Sequence, residues 1–171
     1  MYTVREANAQ DMLPVIDAYY SYYDEVKRNP ELGLTLYNEK PDLNVEKKWY
    51  ADLISSGRAV AVVGEADGRA VGLCTIEPRK DNSVMSHIGV LGIAIMQKYR
   101  NMGMGRAMIT TALELAREKF EIVVLSVYSN NLHAIHLYRS LGFTEYGLLP
   151  RAYKRGNKYF DEVLMYKALK A

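Results

Sequence analysis

Arg100, Gly103 and Gly105 stand at the spacing Arg-x-x-Gly-x-Gly, with Lys98 just before and Arg106 directly after. The chemistry open to such a stretch is the holding of a phosphate or pyrophosphate. A glycine lacks the Cβ that would keep a ligand off the backbone. The free N–H groups of a helix start, and the positive end of its dipole, converge on an anion. Positions 82–113 contain no Asp or Glu, so no carboxylate from this stretch opposes an anion there.

Two elements must present such a loop. Val90 to Met96 is apolar and branched, which reads as a buried strand, and Gln97 to Arg100 links it onward. Met104, Ala107, Met108, Thr111 and Leu115 then repeat at helical spacing. A P-loop would require Lys and Ser or Thr after the second glycine, where Arg106 and Ala107 stand. A dinucleotide fingerprint would require Gly or Ala at Met108 and a parallel unit from the start. The remaining pattern resembles the coenzyme A pyrophosphate loop of the GNAT superfamily of N-acetyltransferases.

Composition bounds the rest. A chain of 171 residues, 49% hydrophobic and 25% charged, has the balance and length of one globular domain, expected over residues 1–171. A net charge of +2 is too small to argue for nucleic acid or an anionic membrane as main partner. Cys74 is the only cysteine, which excludes an internal disulfide and a multi-cysteine metal site and fits a reducing, cytoplasmic setting. The opening MYTVREANAQD carries charge early and lacks the apolar core of a signal peptide. No apolar run approaches the roughly 20 residues of a membrane span.

Taken in order, Tyr2 to Arg5 reads as a strand, and Asn8 starts a Tyr-rich helix that runs to about Lys27. Packing against a sheet is the favoured reading of Tyr19, Tyr20 and Tyr23; lining a substrate groove is the sharper one. Residues 29–42 read as a loop, and Asn44 as the cap of a helix through Trp49 and Leu53. Three antiparallel strands follow, with a hairpin at Asp67-Gly68 and a long third strand, Val84 to Met96, whose glycines at 89 and 92 suggest a bulge. After the glycine-loop helix come a buried strand from Glu121 to Tyr128, a helix capped near Asn131 and closed at Gly142, and two final strands. The order is βααβββαβαββ, a mixed α/β sheet with helices. Its fourth and fifth strands are parallel through a right-handed crossover.

The resemblance widens here. Val127, Asn131, Ala134, Leu137, Tyr138, Gly142 and Phe143 stand in the order of the second GNAT signature. Residues 159–165 resemble the family's closing strand, and the likeness covers about Arg58 to Lys167. It implies the GNAT acyl-CoA N-acyltransferase fold and an enzyme that moves an acetyl group from acetyl-CoA to a primary amine. Ile93, Ala94 and Ile95 would pair with the pantetheine arm. Arg100, Asn101, Met102, Gly103, Met104, Gly105 and Arg106 would cradle the pyrophosphate, Asn131 would bind pantetheine, and Tyr138 would be the general acid. The acceptor stays open between a protein or peptide N-terminal α-amine, which is favoured, and a free amino acid or polyamine.

The base departs from part of the family. A glutamate stands, in the branch acting on ribosomal-protein N-termini, where this chain has Ser126. His87, with a suitable ordinary pKa, is the first substitute; Glu77 or a water chain are the others. Cys74 reads as an inert buried thiol. His133 and His136 lack a third ligand, so no metal is expected. Two rivals remain: a non-catalytic module that binds coenzyme A, and an RNA-associated protein using Arg151, Lys154, Arg155 and Lys158. The Tyr-rich helix and last strands also leave a homodimer open.

Overall fold

In the computed structural model, which describes residues 1–34, 37–80 and 82–170, seven strands form one mixed sheet. The elements are β1 (Thr3–Glu6), α1 (Met12–Arg28), α2 (Leu43–Ser55), β2 (Val60–Ala66), β3 (Arg69–Pro78), β4 (Ile88–Ile95), α3 (Met104–Ala116), β5 (Ile122–Tyr128), α4 (Leu132–Ser140), β6 (Thr144–Arg155) and β7 (Lys158–Ala168). Strand order is β1-β2-β3-β4-β5-β7-β6, antiparallel except for β4 and β5. The expected order of elements and the parallel pair are both present.

Local chemistry sets the boundaries. Asn8 and Asp11 form a reciprocal capping box ahead of α1: the Asn8 side chain accepts from Gln10 N–H at 2.9 Å, and Asp11 accepts from Asn8 N–H at 2.9 Å. Helix α2 is capped by Asp42, whose carboxylate accepts from Asn44 N–H at 2.8 Å. The cap therefore lies two residues before the expected Asn44. Asp67 and Gly68 both take positive φ, 52° and 77°, as a two-residue hairpin with the strands' twist requires.

Two apolar layers sandwich the sheet. On one face Tyr50, Leu53, Val63 and Leu73 pack α1 and α2; on the other, Met108, Ile109, Phe120 and Met165 pack α3 and α4. Among the described residues no helix is long and apolar enough to cross a membrane.

The third strand of the central meander is shorter than expected. It begins at Ile88, and 84–87 form a turn. No bulge interrupts it, because Gly72↔Ile95 to Pro78↔Gly89 pair without a register shift. The irregularity lies on its other edge. β4 pairs with β5 only over Ile88↔Ile122, Gly89↔Val123 and Val90↔Val124, and beyond that the two strands part.

Candidate active site

The splay between β4 and β5 is where backbone groups of a central strand come free. Met96 N–H donates to Val71 on β3, whereas Ile95 N–H faces the other way, toward the opening. Strand groups alternate in direction along an antiparallel ladder. The N–H and C=O of Ile93 therefore also face the opening, and those of Ala94 face β3. Of the three residues expected to pair with a pantetheine arm, Ala94 is thus turned away. Ile95 is already engaged. Its N–H donates to the Tyr22 hydroxyl at 2.6 Å, and its carbonyl accepts from Arg100 Nε at 2.7 Å.

The glycine loop has the form of an anion seat. Asn101 and Gly103 both adopt left-handed backbone, at φ 61° and 86°, and Gly103 caps α3. Residues 101–103 are exposed, and the first intrahelical bond runs from Ala107 N–H to Gly103. The N–H groups of Met104, Gly105 and Arg106 thus belong to the unbonded first turn of the helix. Left-handed turns next to a helix start form a concave set of donors suited to phosphate. The Arg106 guanidinium donates to Ser140 Oγ at 2.8 Å, tying α3 to α4.

Arg100 has a different place from the one expected. Its Nη1 and Nη2 grip the Glu25 carboxylate at 2.9 and 2.6 Å, and its guanidinium lies 4.6 Å from the Tyr22 ring centroid. Glu25 is buried, so the charge of Arg100 is needed there and is not free for a phosphate. Asn131 caps α4: its Oδ1 accepts from Ala134 N–H at 3.2 Å and its Nδ2 donates to the Gly33 carbonyl at 3.3 Å, which leaves the amide one further donor and one further lone pair.

On the α1/α2 face, a groove of about 330 Å³ opens onto Gly92, Ile93 and Ala94. Its walls are Tyr19, Tyr20, Tyr22 and Tyr23 from α1, Trp49 and Glu46 from α2, and Leu34, Tyr37 and Pro41 between them. The Tyr-rich helix therefore lines a groove. Burial pushes the Glu46 carboxyl above its ordinary pKa. Glu77 lies on β3, two residues from Thr75. Burial raises it too, against hydrogen bonds from Trp49 and from Thr75, the latter at 3.4 Å. The start of the connecting loop is pinned from the turn after β5 and from the end of β6, with Asn130 Nδ2 on the Glu31 carbonyl at 2.8 Å and Arg155 Nη1 on that of Leu32 at 2.9 Å. Only glycine fits at 33, where a Cβ would stand 2.4 Å from that of Tyr128.

Tyr138 approaches the splay from the opposite face. Burial, with the nearby Cys74 and Tyr22, raises its phenol well above the ordinary value, so it stays protonated at neutral pH. Its hydroxyl makes no hydrogen bond to the described residues, and no side-chain polar atom buried among them lacks a partner, so it reaches accessible space. Cys74 is fully buried and pushed up to about 12, an unreactive thiol. Ser126 is exposed on β5, two residues beyond the last paired position, as Gly92 is on β4.

His87 does not belong to this constellation. Its carbonyl accepts from Glu121 N–H at 2.9 Å, at the closed end where β4 and β5 begin. Five residues of extended chain, roughly 17 Å, separate the start of β4 at Ile88 from Ile93. His87 thus stands at the end of β4 away from the groove floor at Gly92, Ile93 and Ala94. No cluster of three or more potential metal ligands occurs among the described residues. Sequence reasoning missed Glu46, whose place in a first helical turn reads as a dipole partner. It also missed the Tyr22 and Glu25 pair, whose three-residue spacing on one helix face was the available signal.

Three comparisons accord with this geometry. The profile of the acetyltransferase (GNAT) family matches residues 18–143. An N-alpha-acetyltransferase of Sulfurisphaera tokodaii is 29% identical over 119 residues, 63% of this chain and 70% of that protein. An L-methionine sulfoximine/L-methionine sulfone acetyltransferase of Pseudomonas aeruginosa is 25% identical over 167 residues, 95% and 92% of the two chains. In fold, a phosphinothricin acetyltransferase of Sinorhizobium meliloti solved with acetyl-CoA superposes with a TM-score of 0.86 at 18% identity, covering 99% of this chain and 89% of that one.

Proposed function

The chain belongs to the acetyltransferase (GNAT) family and takes acetyl-CoA as co-substrate, and from that premise we propose that it acetylates the α-amine at a peptide or protein N-terminus. The observation that carries the acceptor class is the lining of the groove. Its walls are aromatic and apolar, Glu46 is its carboxylate, and no Lys, Arg or His is among the described residues that line it. A free amino acid brings a carboxylate beside its amine, which would meet Glu46 with no cation among the described lining residues to balance it. A peptide N-terminus brings a neutral amide in that place. Polyamines would call for several carboxylates along the groove.

A free amino acid is the second reading, favoured by the Pseudomonas relative, whose likeness spans 95% of this chain. The Sulfurisphaera relative supports the peptide reading.

In this account residues 1–171 act as one unit. The N–H groups of residues 101–106 hold the pyrophosphate, and the outward N–H and C=O of Ile93 guide the extended arm as an added strand would be guided. Glu46 attracts the acceptor ammonium. Its raised pKa narrows the gap to an α-amine near ~8, so the proton passes to carboxylate or water. The amine nitrogen then bonds to the acetyl carbon as the carbon–sulphur bond breaks. Tyr138, protonated and facing the splay, gives its proton to the departing sulphur, and the proton that the new amide nitrogen still has to lose passes through water to restore the phenol. Transfer is direct, since Cys74 is too deeply buried and too weakly acidic to carry the acetyl group.

Gly92→Val tests the placement of the acceptor. A Cβ at 92 has its nearest neighbour, Thr75 Oγ1, at 3.6 Å, so the strand accepts a side chain that projects over the groove floor. The variant should raise the KM of a peptide acceptor at least tenfold while leaving acetyl-CoA affinity within twofold. An unchanged acceptor KM would remove the amine from this groove.

A further inference from the structure

The contact between Tyr22 and Ile95 joins two sites. Tyr22 stands in the acceptor groove wall, yet its hydroxyl accepts the Ile95 N–H at 2.6 Å, on the edge of β4 that the splay leaves open. An extended amide ligand laid along that edge beside Ile93 would next seek the N–H of Ile95, two residues on, because strand groups repeat with that period. One N–H cannot serve both at full strength. Resting on the acetyl-CoA reading above, we infer that Tyr22 is a positioning residue that holds the Ile95 N–H until the pantetheine arm displaces it, so cofactor binding moves a wall of the acceptor groove.

Two further observations support an exchangeable contact. The ring of Tyr22 is steadied by Arg100, 4.6 Å away, and Arg100 is itself anchored by Glu25 and by the Ile95 carbonyl. Glu25 and Tyr22 lie on one helix, so the hydroxyl can leave Ile95 by side-chain rotation while α1 stays tied to β4 through the ion pair. The groove beside Tyr22 supplies room for that rotation.

Tyr22→Phe keeps the ring and its stacking on Arg100 but deletes the competing oxygen. Calorimetric titration of the variant with acetyl-CoA should give affinity about three- to tenfold tighter than wild type, the worth of one hydrogen bond no longer displaced. ADP, which offers a pyrophosphate but no pantetheine, should bind both proteins equally. Amide hydrogen exchange at Ile95 should be faster in the free variant than in free wild type, and equally slow in both with acetyl-CoA. Unchanged or weaker acetyl-CoA binding by the variant, or no acceleration at Ile95, would overturn the exchange and show Tyr22 to be packing alone. If wild type binds ADP but gains nothing from the pantetheine and acetyl groups, the reading of the β4 edge fails and this inference with it.

Discussion

The Glu25 carboxylate, 4% exposed, receives both terminal nitrogens of Arg100 at 2.9 and 2.6 Å, and so locks the C-terminal part of α1 to the end of β4. This bond ties α1, whose tyrosines line the groove, to Arg100 at the head of the glycine loop. It also explains why an arginine opens the Arg-x-x-Gly-x-Gly pattern without facing an anion. Removing either partner leaves an uncompensated charge in a buried setting. Arg100→Ala or Glu25→Ala should each lower unfolding free energy by about 3 kcal/mol or more. Chemical denaturation checks this, and the double variant should be less destabilised than the sum of the two.

Tyr138→Phe should lower kcat by about 10²- to 10³-fold, in the range of general acid–base contributions, with the KM for acetyl-CoA little changed. The hydroxyl has no partner among the described residues to lose, so the melting temperature should stay close to wild type. Thiol release with a peptide acceptor is the assay.

His87→Ala should leave kcat and KM within twofold of wild type, because His87 lies at the closed end of the β4–β5 pair. A large loss of kcat in a folded variant would return the base to this histidine.

Gly103→Ala places a side chain at φ 86°, where an L-residue costs roughly 1–2 kcal/mol, and sets its Cβ 3.2 Å from the Tyr2 hydroxyl. Acetyl-CoA affinity should fall by about tenfold as the loop shifts, measured by titration calorimetry.

Acid stability depends on Asp11. Burial alone would raise its pKa, but hydrogen bonds from Arg5 and Asn8 and the charge of Arg5 outweigh it and leave it lowered. The folded carboxyl therefore binds its proton less tightly than the unfolded one. Its contribution is full above the unfolded value of about 3.9 and is lost as pH falls through the folded value. Asp11→Asn should be less stable than wild type at pH 7, and the difference in denaturation midpoint should shrink toward pH 3.

Much of this architecture is legible in the residues. The Asp67-Gly68 turn, the Gly142 stop and the Asn131 cap each encode their geometry locally, because a positive φ or a capping oxygen is a property of a few adjacent residues. The splay of β4 from β5 is not local. Gly89 and Gly92 suggested an irregular strand, whereas the ladder to β3 is continuous and the break lies in the partner on the other edge. Arg100 and Asn131 fitted a ligand by motif, but their side-chain partners, Glu25 and the Gly33 carbonyl, come from α1 and the loop after it. Those pairings span 75 and 98 positions of sequence, and spacing within a motif carries no record of them. The Tyr-rich face of α1 was ambiguous for the same reason, since helical period fixes which side chains align but not whether a sheet or a groove receives them.

The most direct test of the acceptor assignment is the ratio of kcat/KM for an N-terminal dipeptide amide to that for its free N-terminal amino acid, with thiol release from acetyl-CoA as the signal. A groove with Glu46 and no cation among its described lining residues predicts a ratio well above ten, and Glu46→Gln should lower it. A ratio below one, with the free amino acid as the better acceptor, would contradict the account.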